Sequence, residues 1–161
     1  MTETIKDIAE MIEPIGKVED INQLKNVIRF ILKNIPQDKT KYKTEIIKLC
    51  FILDYKYKKE KNKPCPTTVS YVRYNYGPYS DHFIEAFGQL VKEGVIVEVT
   101  LPFGIGYNSS IDEEIILDED IKNFILNILR EYSNSTLRQM KEYIYELPEF
   151  KQAQFGQEIL I

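Results

Sequence analysis

The chain has 161 residues, 43% of them apolar, which suffices for one hydrophobic core and is too little for two ordinary domains. Its two cysteines, Cys50 in an apolar run and Cys65 between Pro64 and Pro66, exclude a disulfide framework and lack the paired spacing of a zinc site, so a reducing compartment is expected. The net charge of -4 hides an asymmetry: nine lysines between Lys39 and Lys63 face only Glu45, Asp54 and Glu60, so that stretch carries +6 and the rest of the chain -10.

No segment approaches the roughly 20 apolar residues that span a bilayer. The opening Met1-Thr2-Glu3-Thr4-Ile5-Lys6-Asp7 lacks the basic-then-apolar pattern of a signal peptide, so a cytoplasmic protein without membrane contact is expected. Ile5, Ile8, Ile12 and Ile15 recur at helical spacing and predict a short helix ended by Pro14 and Gly16, an N-terminal extension over residues 1–20 ahead of a single domain over 21–161. Asp20 is placed to cap a second helix, in which Ile21, Leu24, Ile28, Ile31 and Ile35 advance by three and four until Pro36. That seam is too short for a coiled coil; packing inside the domain is expected, with a homodimer through the Ile21–Ile35 helix as the alternative.

From Thr44, the positions Ile46, Ile47, Cys50, Phe51, Leu53, Asp54 and Tyr57 describe a long amphipathic helix. Its last turns carry Lys56, Lys58, Lys59 and Lys61, and Pro64 and Pro66 close it. Thr67 to Tyr76, rich in β-branched and aromatic residues, predicts an extended segment, and Tyr76-Gly77-Pro78-Tyr79-Ser80 predicts a sharp turn with Ser80 as the next N-cap and Asp81 in the first turn. The following helix is expected to bury Phe83, Ile84, Phe87, Leu90 and Val91 and to end at Gly94 in the left-handed conformation. Val95, Val97 and Val99 alternate as a strand, Leu101 to Tyr107 reads as a hairpin bend, and Ile111 to Leu117 as the return. Asp118, Glu119 and Asp120 open a helix with Ile121, Phe124, Ile125, Ile128 and Leu129 inward; Ser133-Asn134-Ser135 breaks it, and Ser135 caps a last helix ending near Pro148. The expected fold class is mainly α with a small β-hairpin (α+β), in a winged-helix-like order of helix, turn, helix and wing.

No catalytic, cofactor or metal site is expected. His82, the one histidine, is placed on the exposed side of its helix with Glu85 one turn on, and a lone solvated imidazole lacks the positioned partner of a general acid or base. Phe103-Gly104-Ile105-Gly106 lacks the lysine and following helix of a phosphate loop, and the acidic runs 112–114 and 118–120 lack the glycine-punctuated spacing of a calcium loop, reading instead as helix caps. The run Tyr55 to Lys63 offers lysines to phosphates and tyrosines to stacked bases. Against nucleic acid, residues 81–93, which a winged-helix DNA binder would insert into the major groove, hold Asp81, Glu85 and Glu93 against Lys92 and contain no arginine.

Asp54 falls on the face its helix should bury, where a charge must be hydrogen-bonded or costs several kcal/mol. It is expected to accept bonds from a tyrosine hydroxyl or from the backbone at Gly77-Pro78, either as an internal staple or as the floor of a binding groove. Alternation along Thr67–Tyr76 sends Tyr71 and Arg73 outward and Val72, Tyr74 and Tyr76 to the other side, with Tyr79 at the turn. Arg73, Tyr74, Tyr76 and Tyr79 with Lys56, Lys58 and Lys59 are therefore the candidate partner-binding residues: an electropositive, aromatic-edged surface.

Lys48-Leu49-Cys50-Phe51-Ile52-Leu53-Asp54, then Tyr76-Gly77-Pro78-Tyr79-Ser80, then Leu90 with Glu93-Gly94-Val95-Ile96 resembles the SocA-like Panacea domain of bacterial, archaeal and phage proteins, in order over residues 22 to 155. The sequence departs from that pattern at Phe51, where a tyrosine is frequent, and in Tyr145–Phe150, where a histidine and a tryptophan are expected. The resemblance implies a mostly helical fold with a small β element in which Asp54, Gly77, Pro78, Ser80 and Gly94 form the structural motif. It also implies an antitoxin that neutralises a protein toxin encoded beside it. A winged-helix-like nucleic-acid regulator using Lys56–Lys63 is the alternative.

Overall fold

A computed structural model describes residues 13–35, 41–111, 113–132 and 134–161; most of the expected N-terminal helix, with Ile5, Ile8 and Ile12, lies outside them, as does Pro36. The architecture is mixed, six helices and three small sheets among the described residues. In chain order these are β1 (Lys17–Val18), α1 (Ile21–Asn34), β2 (Lys41–Tyr42), α2 (Lys43–Lys61), β3 (Val69–Ser70), β4 (Val72–Tyr74), β5 (Gly77–Tyr79), α3 (His82–Lys92), β6 (Ile96–Leu101), β7 (Gly104–Ser109), α4 (Glu119–Tyr132), α5 (Leu137–Glu146) and α6 (Pro148–Gln152). Among the described residues no helix is long and apolar enough to cross a membrane.

Helix α2 is the centre of the core. The expected amphipathic pattern gives way to burial on all sides, because Leu49 to Leu53 is an unbroken apolar run and five successive residues point around the whole helix circumference. Helices α4 and α5, strand β5 and the β2–β7 edge all pack on it. Each fully buried Leu, Ile or Phe in this cluster contributes roughly 2–3 kcal/mol. Asn62, in the left-handed conformation, ends the helix before the two prolines.

Helix α1 is capped as expected: Asp20 Oδ1 accepts from the backbone of Asn22 at 3.0 Å and of Gln23 at 3.2 Å. Its stripe of Leu24, Ile28, Ile31 and Ile35 is buried inside the same chain, against α3, α4 and β7. Residues 15–19 are tied into the domain. β1 pairs antiparallel with β3, and the Ile15 carbonyl accepts from Asp81 N–H at 2.8 Å.

Four local expectations are corrected. The reversal before α3 occurs at Asn75-Tyr76, and Gly77-Pro78-Tyr79 is the returning strand β5, paired Val72 to Tyr79 and Tyr74 to Gly77. The second hairpin returns at once as β7 rather than through Ile111–Leu117: Gly104, at φ +149, reverses the chain after a two-residue turn, and β2 adds to the β7 edge. Gly106 permits that addition, since a Cβ there would lie 2.6 Å from the Lys41 carbonyl oxygen. On α3 the buried stripe is Phe83, Ala86, Phe87 and Leu90, which leaves Ile84 and Val91 exposed because they sit one step off the i, i+3, i+4, i+7 row. Thr136, not Ser135, caps α5: its hydroxyl accepts from Gln139 N–H and the Gln139 side chain returns the bond to Thr136 N–H, a capping box that needs glutamine three residues on.

Replacing Asp20 by alanine is expected to lower stability by about 1 kcal/mol, read as a lower urea midpoint with an unchanged slope.

Candidate partner-binding groove

Asp54 holds the region together. It is fully buried, its Oδ1 accepts from Thr67 N–H at 3.0 Å, and its Oδ2 accepts from the Thr67 hydroxyl and from Tyr71 OH, the latter at 2.7 Å. The tyrosine donor is as expected; the backbone donor is Thr67 rather than the Gly77-Pro78 segment. Tyr71 accordingly points inward, opposite to expectation. Its ring lies edge-on to Phe51 with centroids 5.0 Å apart, so the buried acceptor decides which phase of the strand alternation faces the core. Burial lifts the Asp54 carboxyl from the ordinary 3.8 to about 7, against the smaller downward pull of the Thr67 and Tyr71 bonds.

Strands β4 and β5 stand over the first turns of α2. Gly77 has φ +117, and a Cβ there would approach Lys48 Nζ to 3.4 Å and Tyr145 Cε1 to 3.8 Å, so the strand lies close on the helix. Between Lys43, Thr44, Ile47 and Lys48 on one side and the hairpin residues 74–79 on the other lies a largely apolar groove of about 290 Å³. Tyr76, at the hairpin tip, is 76% exposed. Lys48 lines the groove with only 4% exposure and donates to the Tyr76 carbonyl. It makes no ion pair among the described residues. Its burial first, and the charge of Lys141 second, draw its pKa down to about 8.

The structure separates the predicted partner-binding residues. Arg73 is used internally: Nη1 donates to the Phe150 carbonyl at 3.1 Å and the Ala153 carbonyl at 2.9 Å, and the guanidinium lies 4.4 Å from the Phe150 ring centre. Tyr79 stacks on Tyr74, and its hydroxyl donates to Asp81. Tyr74 stacks in turn on Phe155, an exposed ring that sequence reasoning passed over. The lysines of the α2 end are drawn into the acidic helices: Lys56 pairs with Glu131 at 3.1 Å, Lys59 with Glu149 at 3.2 Å, and Lys61 and Lys63 with Asp120. Lys56 also lies over the rings of Tyr132 and Tyr143. Only Lys58 of the three predicted lysines is exposed without an ion pair among the described residues. The expected basic face is thereby largely neutralised.

Asp81, rather than the expected Ser80, stands at the N-cap of α3. Ser80 is buried and its Oγ accepts from His82 N–H at 3.2 Å, while Gly94 takes φ +76 just past the helix. His82 is less exposed than expected, with 19% of its side chain accessible, and Nδ1 lies 2.9 Å from Glu85. His82 and Asp54 thus occupy separate bonding networks. Asp118 accepts from Asp120 N–H at the start of α4, and among the described residues no three His, Cys, Asp or Glu side chains gather to hold a metal ion.

Lys48 and Thr67 escaped sequence reasoning. The signal for Lys48 was available: a lone cation between Ile47 and Leu49 in the helix's most apolar stretch. Thr67 carried none, because its role depends on a carboxylate thirteen residues earlier. No family model, curated protein or solved structure matches the chain.

With its folded pKa raised, Asp54 keeps its proton in the folded chain from about pH 4 to about pH 7 while the unfolded chain loses it. Its contribution to stability is full below that window, falls by roughly 1.4 kcal/mol per pH step through it, and is level above it. Asp54→Asn should remove this component, so the difference in urea midpoint between wild type and variant should change between pH 4.5 and 7 and stay constant above pH 7.5. A difference constant throughout would show that Asp54 does not titrate there. Asp54→Ala, which strands two buried hydroxyls and an N–H, should destabilise by roughly 3 kcal/mol or more at any pH.

Proposed function

We propose that this chain is a non-catalytic protein-binding module of antitoxin type, holding a protein toxin encoded nearby, with the groove beside the β4–β5 hairpin as its contact face. The observation that carries the reading is Tyr76: a large amphipathic ring, 76% exposed and without a ring contact among the described residues, on the rim of an apolar groove. Aromatic side chains so placed are the usual anchors of protein interfaces. The free thiols of Cys50 and Cys65 accord with a cytoplasmic setting. The resemblance to the SocA-like Panacea domain supplies the word antitoxin; the groove supplies the means of contact.

The order of α3 followed by the β6–β7 hairpin supports a winged-helix-like reading of the topology. On that reading α3 serves as scaffold and not as a reader of DNA, since its surroundings are acidic and the lysines of the α2 end are paired within the chain.

Co-expression with the product of the adjacent gene tests the proposal. The expected result is a complex that co-purifies and growth that recovers from the toxin. Tyr76→Ala should weaken the complex at least tenfold, the scale of a truncated anchor, with the thermal midpoint unchanged. Absence of both the complex and the rescue would sink the antitoxin reading, and DNA affinity falling steeply with salt would favour the nucleic-acid alternative.

A further inference from the structure

The groove has a charge at its base that the fold leaves uncompensated. Elsewhere the buried or half-buried lysines are matched: Lys25 by Glu93, Lys41 by Glu45, Lys56 by Glu131 and Lys122 by Glu119. Lys48 is at least as buried as these and has only the dipole of the Tyr76 carbonyl. Its electrostatic neighbour is another cation, Lys141. Lys43, on the groove wall, makes no ion pair among the described residues. The acids near Lys141 are engaged, Glu142 by Arg138 at 3.1 Å and Glu146 by Lys151 at 3.0 Å.

A buried cation without a counter-charge opposes folding, and an apolar side chain of similar length would fill the same space at no such cost. Groups that oppose stability in this way collect at sites kept for function. Here the cation lines a groove whose other walls are the apolar parts of Ile47, Pro78 and tyrosine rings. Such a groove accepts a ligand that is apolar along its length and negative at its end.

We propose that the groove receives an acidic segment of the protein partner, with a side-chain carboxylate set against the Lys48 ammonium and an adjoining apolar side chain under Tyr76. This rests on the protein-binding reading above and names the partner's chemistry at that site. The carboxylate replaces the water lost by Lys48, so the pair forms where low polarity strengthens it. Lys43 on the groove wall and Lys141 outside it add attraction and steer an acidic segment toward the site.

The test uses the isolated full chain and two small probes of one shape, 3-phenylpropionate and 3-phenylpropanamide, titrated at pH 6.5 while the Tyr76 and Gly77 amide resonances are followed. The expected result is at least a tenfold preference for the carboxylate, abolished in Lys48→Met. That variant should also unfold at an equal or higher urea concentration than wild type, as removal of an uncompensated charge requires. Equal affinity for the two probes, no shift at Tyr76 and Gly77, or retention of the preference in Lys48→Met would each overturn the inference. A single-stranded oligonucleotide moving the same resonances more strongly would overturn it too, assigning the groove to phosphate. Because no partner protein is needed, failure here alongside a Tyr76-dependent complex rejects only the acidic-segment inference and leaves the binding module standing.

Discussion

The carboxylate of Asp54 is the point on which the arrangement turns. Lying inside the central helix, it can keep neither water nor an unbonded oxygen, and it draws Thr67 and Tyr71 onto the helix from the next segment of chain. With Tyr71 turned inward, Arg73 two residues on is committed to the carbonyls of Phe150 and Ala153 and to the Phe150 ring. The segment 71–73 then bonds to the chain after α6, through Arg73 N–H to the Gln157 carbonyl and Ile159 N–H to the Tyr71 carbonyl. One buried acid thus orients the β4–β5 hairpin, and with it the groove.

Charge asymmetry in the sequence resolves into internal pairing. The lysines that close α2 meet Glu131, Glu149 and Asp120 from the acidic C-terminal third, so opposite charges far apart in sequence become neighbours at the joints between helices. Exposed pairs of this kind contribute little each to stability. Their effect on the surface is larger, for they reduce the positive field at the end of α2. Among the described residues of α2, the lysines without an ion pair besides Lys58 lie at its other end, Lys43 and Lys48.

The buried acid and the buried lysine of α2 are treated in contrasting ways. Asp54 is surrounded by donors that bond both of its carboxylate oxygens. Lys48 has a single carbonyl and faces an open groove. Full satisfaction marks a structural role; an ammonium left half-satisfied beside open volume marks a place where something else completes the bonding.

Much of this was legible in the sequence wherever the physics is local. Helical periodicity located five of the six described helices, Asp20 and Gly94 marked their ends, and the position of Asp54 within an apolar run announced a buried, bonded acid. These follow from spacing, capping chemistry and the cost of burying charge, which need only neighbouring residues. Tertiary structure decided the rest: which side of the Tyr71 strand faces inward, that the turn lies at Asn75-Tyr76, that Arg73 is internal, and that the α2 lysines are neutralised. All but the turn depend on a partner more than ten residues away. A side chain's own spacing cannot reveal whether a distant acceptor, acid or ring will be there to meet it.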